Sequence, residues 1–227
     1  MPGKNTIKQY VENGYYHVYN RGVEKRTIFE DEQDHKVFLK YLKEYLSAPP
    51  DTTTLRKPIT VQGASFKGIP RQRKNYQKEI ELIAYCLMPN HFHLLLKQNS
   101  KNSMEKFMRS LATRYSMYFN RKNDRVGKLF QGHYKASLIL EDPYLLHLTR
   151  YIHLNPLDYT EDLGGAYSSY GDYLGLRNTI WIKPDIILSF FNQKTIPEIE
   201  KVNSYRDFVE NHNKDSSSFL GNLTLED

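Results

Sequence analysis

A single cysteine, Cys86, stands in a chain of 227 residues. It cannot close an internal disulfide, which removes the disulfide-stapled secreted scaffolds and fits a reducing cytoplasm. No apolar run approaches the roughly eighteen to twenty residues that a membrane span needs, and the N-terminus lacks a signal-peptide apolar region, so neither membrane insertion nor export is expected. No internal repeat is visible. Acidic residues fall short of basic ones, 26 against 32, for a net charge of +6. The shortfall is local: residues 97–135 hold ten lysines and arginines against only Glu105 and Asp124. A surface of that kind suits a polyanion. Aromatic residues, by contrast, are plentiful, with 18 tyrosines and 11 phenylalanines. Rings interleaved with cations suit unpaired bases, although most of them belong in a core.

The most informative stretch is Met88-Pro89-Asn90-His91-Phe92-His93-Leu94-Leu95-Leu96-Lys97. As a strand it sends His91 and His93 to one face and Phe92, Leu94 and Leu96 to the other. That is half of a metal site, with the apolar face holding the rings in fixed directions. Some sixty residues on, Asp142 to Pro156 reads as a helix. Asp142 is the expected N-cap, Pro143 fills the first helical position, and the helix is expected to stop before Pro156. Leu145, Leu148 and Ile152 make its apolar stripe, and Tyr151 and Asn155, four apart, share a neighbouring face.

The remaining pattern gives a strand at 15–20, a helix at 31–46, a strand at 79–87, the histidine strand, a helix at 104–120 with a stripe from Met104 to Phe119, and a strand at 132–140. The order β-α-β-β-α-β predicts an α+β fold, a ferredoxin-like split arrangement with an antiparallel sheet and two helices on one face. The first and third strands become central neighbours. His91 and His93 then lie mid-sheet on the uncovered face, where the helix carrying Tyr151 can approach. Residues 49–77, with their prolines, threonines, glycines and the basic Arg71-Gln72-Arg73-Lys74, read as a long loop or hairpin insert. The domain reading is a catalytic unit over 1–160 containing that insert, then a C-terminal extension over 161–227 with a helix at 197–211 and a frayed tail from about Lys214.

Several motifs occur in order: Tyr16-His17-Val18-Tyr19-Asn20-Arg21-Gly22, then Leu87 to His93, Tyr118-Phe119-Asn120, Gly127-Lys128-Leu129-Phe130-Gln131-Gly132, Tyr151-Ile152-His153-Leu154-Asn155-Pro156, and Tyr167-Ser168-Ser169-Tyr170. Over roughly residues 13–175 the chain resembles the single-tyrosine HUH transposases of insertion sequences (the IS200-like family), and especially their REP-associated relatives. The resemblance implies Tyr151 as nucleophile and Asn155 as third metal ligand beside His91 and His93. It implies metal-dependent cleavage and rejoining of single-stranded DNA at hairpin-associated sites through a 5′-phosphotyrosine link. Two imidazoles and an amide oxygen suit Mg²⁺ or Mn²⁺ with positions open for phosphate oxygens.

Candidate DNA contacts are Arg109, Arg114, Arg121, Lys122, Arg125 and Lys128, with His147 one turn before Tyr151 able to orient DNA or assist the metal. Tyr115 and Tyr118, rivals to Tyr151, sit in a core stripe. His133 stands where the family is expected to carry arginine, which leaves one phosphate contact open. Relatives include dimers that exchange tyrosine helices, whereas REP-associated members look monomeric; a monomer is favoured here. Two competing readings are an inactive nucleic-acid-binding module and a rolling-circle initiator or relaxase.

Overall fold

The structure, a computed structural model, describes residues 8–49, 51, 56–69, 72–193, 196–200 and 202–210. Four strands form the main sheet: β1 (Tyr15–Arg21), β4 (Ile80–Met88), β5 (His91–Gln98) and β6 (Lys135–Ile139). Their order is β4-β5-β1-β6, and every neighbouring pair is antiparallel. The expected central pair of first and histidine strands is therefore present. The insert contains β2 (Lys57–Val61) and β3 (Ala64–Gly68), which among the described residues pair only with each other. Among the described residues, six α-helices complete the fold: α1 (Glu32–Leu46), α2 (Ser103–Lys122), α3 (Asp142–Leu154), α4 (Tyr170–Tyr173), α5 (Asp185–Gln193) and α6 (Tyr205–Glu210).

Alternation along the strands divides the interior into two cores. Tyr16 and Val18 of β1 and Phe92, Leu94 and Leu96 of β5 pack beneath α1 and α2, meeting Phe38, Leu42, Phe107, Leu111 and Tyr115. Leu95, Cys86, Met88 and Ile139 turn the other way, to Leu145, Leu148 and Ile152 of α3 and to Tyr170, Tyr173 and Phe208 of the C-terminal elements. A bulge at Leu82–Ala84 keeps β4 in phase: Leu82 opposes Leu96 and Ala84 opposes Leu95, with Ile83 as the surplus residue. The outer edge of β4 is not left bare, since Leu87 N–H donates to Tyr167 O at 2.8 Å, Ser169 N–H to Tyr85 O at 3.0 Å, and Lys183 N–H to Leu82 O at 2.8 Å. Backbone from the C-terminal segment thus occupies an edge that would otherwise invite another strand.

Polar contacts fix the two helices over the first core. Asp31 caps α1 by accepting from Asp34 N–H at 3.0 Å. The buried Asp34 carboxylate takes Lys122 Nζ of α2 at 2.7 Å and the Tyr118 hydroxyl at 2.9 Å. Farther along, Arg114 of α2 pairs with Glu44 at 2.6 Å and stacks on Tyr41 at 3.7 Å.

The structure differs from the sequence reading at several ends. Glu141, not Asp142, occupies the N-cap of α3, without a side-chain bond, and Pro143 sits in the first turn. Asn155 keeps right-handed helical angles (φ −49°, ψ −39°) despite the following proline, and the chain continues as a 3-10 turn over Asn155–Asp158. Pro156 is accommodated because it falls in the first turn of that new element, where its missing N–H goes unused. β6 is shorter than expected, starting at Lys135 rather than 132. The helix expected over 197–211 is interrupted, as a 3-10 turn at Pro197–Ile199 followed by α6. The tail from about Lys214 lies outside the described residues.

Candidate active site

β1 brings His17, Tyr19 and Arg21, and β5 brings His91 and His93, to the second face. The register sets Tyr19 opposite His93, Arg21 opposite His91 and His17 opposite Leu95. His93 is fully buried, and its Nδ1 lies 2.8 Å from His17 Nε2, also fully buried. The other nitrogen of His93, Nε2, is buried and has no hydrogen-bond partner among the described residues. A buried N–H without an acceptor is costlier and rarer than a buried lone pair. The proton therefore belongs on Nδ1, donated to His17, and Nε2 presents its lone pair to the site. Burial, with His17 and His91 alongside, holds His93 far below the usual imidazole range, so the ring is neutral.

His91 is oriented from the preceding turn. Its Nδ1 donates to Asn90 Oδ1 at 2.6 Å. Burial pushes His91 down to about 4, partly offset by a hydrogen-bonding contact with the Asn155 side-chain oxygen and reinforced by the charge of Arg21. With its one N–H given to Asn90, the neutral ring keeps a lone pair at its other nitrogen. That nitrogen and the Asn155 oxygen are both lone-pair donors of the kind that could hold a divalent cation.

α3 carries Tyr151 and Asn155 to the same place because Leu145, Leu148 and Ile152 bury its other side against the sheet. The Tyr151 ring stands edge-on to His93, with centroids 5.4 Å apart and planes at 86°, and lies 6.1 Å from the His17 ring. Asn155 Nδ2 donates to Tyr151 O at 2.7 Å, which leaves its amide oxygen as the free coordinating atom. Among the described residues no group of three or more His, Cys, Asp or Glu side chains is placed to hold a metal. The donor set that fits is two imidazole nitrogens and one amide oxygen, suited to a divalent ion such as Mn²⁺ or Mg²⁺. Cys86, opposite His93 in the β4–β5 register, is fully buried and its thiol is pushed up by that burial, so it is an inert neighbour.

The remaining candidates scatter. Arg109, exposed, pairs with Glu105 within α2. Arg114 and Lys122 are held by Glu44 and by Asp31 and Asp34, so they brace α1 against α2 rather than stand ready for phosphate. Arg125 donates to Asn120 Oδ1 at 2.9 Å, and Arg121 and Lys128 are exposed. All six lie on or just beyond α2, across the sheet from the histidine pair. His147 is fully buried, its ring 5.6 Å from Phe208 of α6, and so is neither solvent-facing nor a DNA contact. Tyr115 and Tyr118 belong to the helix-side core or pack against it.

Three residues of the site were not among those candidates: His17, Tyr19 and Arg21. Their signal was the odd-numbered alternation of β1, which places them on one face once β1 is paired beside β5. The Arg21 Nε donates to Gln131 Oε1 at 2.5 Å, so the guanidinium is anchored beside His91. Lys135 of β6, opposite Tyr19, adds a second cation 5.9 Å from the Tyr19 ring centroid.

Residues 66–155 match the family described as Transposase IS200 like. A comparison with curated proteins finds no match. Among solved structures, the chain is similar to a REP-associated tyrosine transposase bound to a REP hairpin, with 12% identity and a TM-score of 0.48 over 74% of this chain and 84% of that one. It is also similar to a proposed transposase from Deinococcus radiodurans R1, with 16% identity and a TM-score of 0.35 over 67% of this chain and 95% of the other.

Proposed function

From residues 66–155 as an IS200-like transposase segment, we propose that this chain cleaves and rejoins single-stranded DNA at hairpin-associated sites, with Tyr151 as nucleophile and a divalent metal held by His91, His93 and Asn155. The observation that carries the reading is the convergence of Tyr151 and Asn155 of α3 on the histidine pair, across which the Tyr151 and His93 rings are 5.4 Å apart. When bound, Mg²⁺ or Mn²⁺ would supply a positive charge that polarises the scissile phosphate and favours the phenolate.

The chain's own residues do the rest. His17 fixes the tautomer and direction of His93, and Asn90 does the same for His91. Arg21, held by Gln131, offers its remaining guanidinium N–H groups to a phosphate oxygen beside His91. The Tyr151 oxygen attacks phosphorus and loses its proton. The bond from phosphorus to the 3′ oxygen breaks, that oxygen takes up a proton, and the 5′ piece stays esterified to Tyr151. A 3′-hydroxyl then attacks the phosphotyrosine, restores a phosphodiester and releases the phenol. One ester replaces another at each step, so no nucleoside triphosphate is consumed.

The catalytic unit in this reading is residues 1–160, and the extension after it buttresses α3. His153, fully buried at the end of that helix, is hydrogen-bonded through Nδ1 to the Tyr205 hydroxyl at 2.6 Å and through Nε2 to Ser169 Oγ at 2.7 Å. α3 is thereby tied to its own chain, which favours a site assembled within a monomer.

The test is covalent capture. Incubated with Mn²⁺ and a single-stranded DNA hairpin bearing an unpaired flank, the protein is expected to form an adduct stable to denaturing electrophoresis. Tyr151→Phe is expected to abolish it without changing the circular dichroism spectrum. Failure of the wild type on a broad set of hairpins, or an undiminished adduct from Tyr151→Phe, overturns the proposal.

A further inference from the structure

The most basic stretch of the chain is also its barest. Between Asp51 and Glu79 the sequence has seven basic and no acidic side chains, more than the net charge of +6 of the entire chain. Within that stretch β2 and β3 form a ribbon paired with no other described strand, nearly every residue of which is exposed, Val61 and Phe66 included. The tip is tightly specified: Gln62 and Gly63 both have positive φ, 50° and 85°, as the two-residue turn of a twisted hairpin requires. An isolated two-stranded ribbon is marginal in water.

The base of the ribbon, unlike its body, is fixed. Arg73 pairs with Glu44 of α1. Asn75 Nδ2 donates to Ser47 O at 2.7 Å, and the N–H of the buried Tyr76 donates to Tyr45 O at 2.7 Å. Arg56, Lys57, Lys67 and Lys74 are exposed, and none forms a salt bridge with another described residue. The anchor also sets a distance. β4 begins at Ile80 opposite Gln98, the far end of β5 from His91. Seven strand steps separate the two ends, about 23 Å at the usual rise.

We propose that the β2–β3 ribbon, rooted toward the end of the sheet away from His91, is a nucleic-acid arm that grips the backbone of a duplex stem beyond its first base pairs. The inference rests on the DNA-cleaving reading above. A stem is a rod with about 3.4 Å per base pair, so it takes about seven base pairs to run the roughly 23 Å length of β5 toward the root of the ribbon, whereas an unpaired strand has no fixed reach. A two-stranded β-ribbon matches the width of a major groove. The unbroken positive charge complements the phosphates that line it.

The experiment compares the wild type with the triple variant Arg56→Gln, Lys57→Gln, Lys67→Gln and with a variant in which residues 57–68 are replaced by a short Gly-Ser linker. The probes are hairpins with the same unpaired flank and stems of about ten or about three base pairs, and an unstructured strand of equal length. The wild type is expected to bind the long stem at least about tenfold more tightly than the short one, and both variants are expected to lose that gain. The salt dependence of long-stem binding is expected to fall by about two to three in log-log slope, as for three released phosphate contacts. Wild-type affinity and slope in the variants overturn the arm, and so does an equal loss on the unstructured strand. Adduct formation by the wild type is read separately. If it is absent on the short and the long stem alike at saturating protein while the long-stem gain in binding persists, the cleavage reading fails and the arm stands.

Discussion

The two faces of the main sheet are built from the same strands and differ in almost everything else. Under α1 and α2, β1 and β5 present Tyr16, Val18, Phe92, Leu94 and Leu96 to an apolar, aromatic-rich core. Under α3 they present His17, Tyr19, His91 and His93, polar rings mostly buried, with burial holding His91 and His93 neutral. One face stabilises the sheet so that the other can afford chemistry that does not. Because the side chains are interleaved residue by residue, rigidity passes directly from Phe92 to its neighbours His91 and His93.

Separating the two faces by mutation tests this division. The largest effect is expected on the helix side. Phe38→Ala, at a fully buried ring touching Phe29, Phe92 and Tyr115, should cost about 3–5 kcal/mol in urea unfolding. Mn²⁺ affinity per folded molecule should stay as it is; a matching loss of affinity would mean that the faces are not separable.

Acid should act on the other side. His153 sits neutral in the folded state, its pKa lowered to about 3 by burial and by the charge of Arg177. The unfolded chain, with an ordinary imidazole near 6.5, binds a proton first as pH falls. The stability this group contributes is therefore complete above pH 6.5 and is lost progressively down to the folded value. At pH 5 the loss should be about 2 kcal/mol, and His153→Gln should flatten that part of the stability profile. An unchanged profile in the variant would remove His153 from the account.

His17→Ala should weaken Mn²⁺ binding by about 10- to 100-fold in calorimetric titration, since it removes the partner that orients His93. Retained affinity would leave His17 as packing alone. The smallest effect belongs to the surface: Arg109→Ala removes an exposed pair with Glu105 and should shift stability by less than about 0.5 kcal/mol.

Much of this organisation was legible in the sequence, and the exceptions have a common cause. Alternation at His91 and His93, the apolar stripe of α3 and the order of elements are local patterns, and the fold built on them has the expected topology. Strand pairing is not local, so nothing in β1 alone announced that His17 would meet His93 or that Arg21 would face His91. Charge composition misled for the same reason. The cations of α2 look like an open basic face until Glu44 and Asp34, distant in sequence, engage Arg114 and Lys122. The C-terminal segment read as one helix because its apolar spacing is helical, whereas its residues turn repeatedly to pack on α3.

The bulge in β4 implies an asymmetry in how this sheet would tolerate changes of length. Deleting Ile83 would leave every cross-strand partner from Ala84 to Met88 where it is, since that residue opposes nothing on β5. Deleting any one of the next five would transpose the remainder of the strand, turning hydroxyl and thiol, sulfur and hydrocarbon, toward the wrong neighbours. The edge strand thus has one position whose loss spares the register, immediately before the span that shelters the histidines, and the cost of losing it falls instead on the second core, where Ile83 is fully buried and its carbonyl accepts from the Tyr173 hydroxyl.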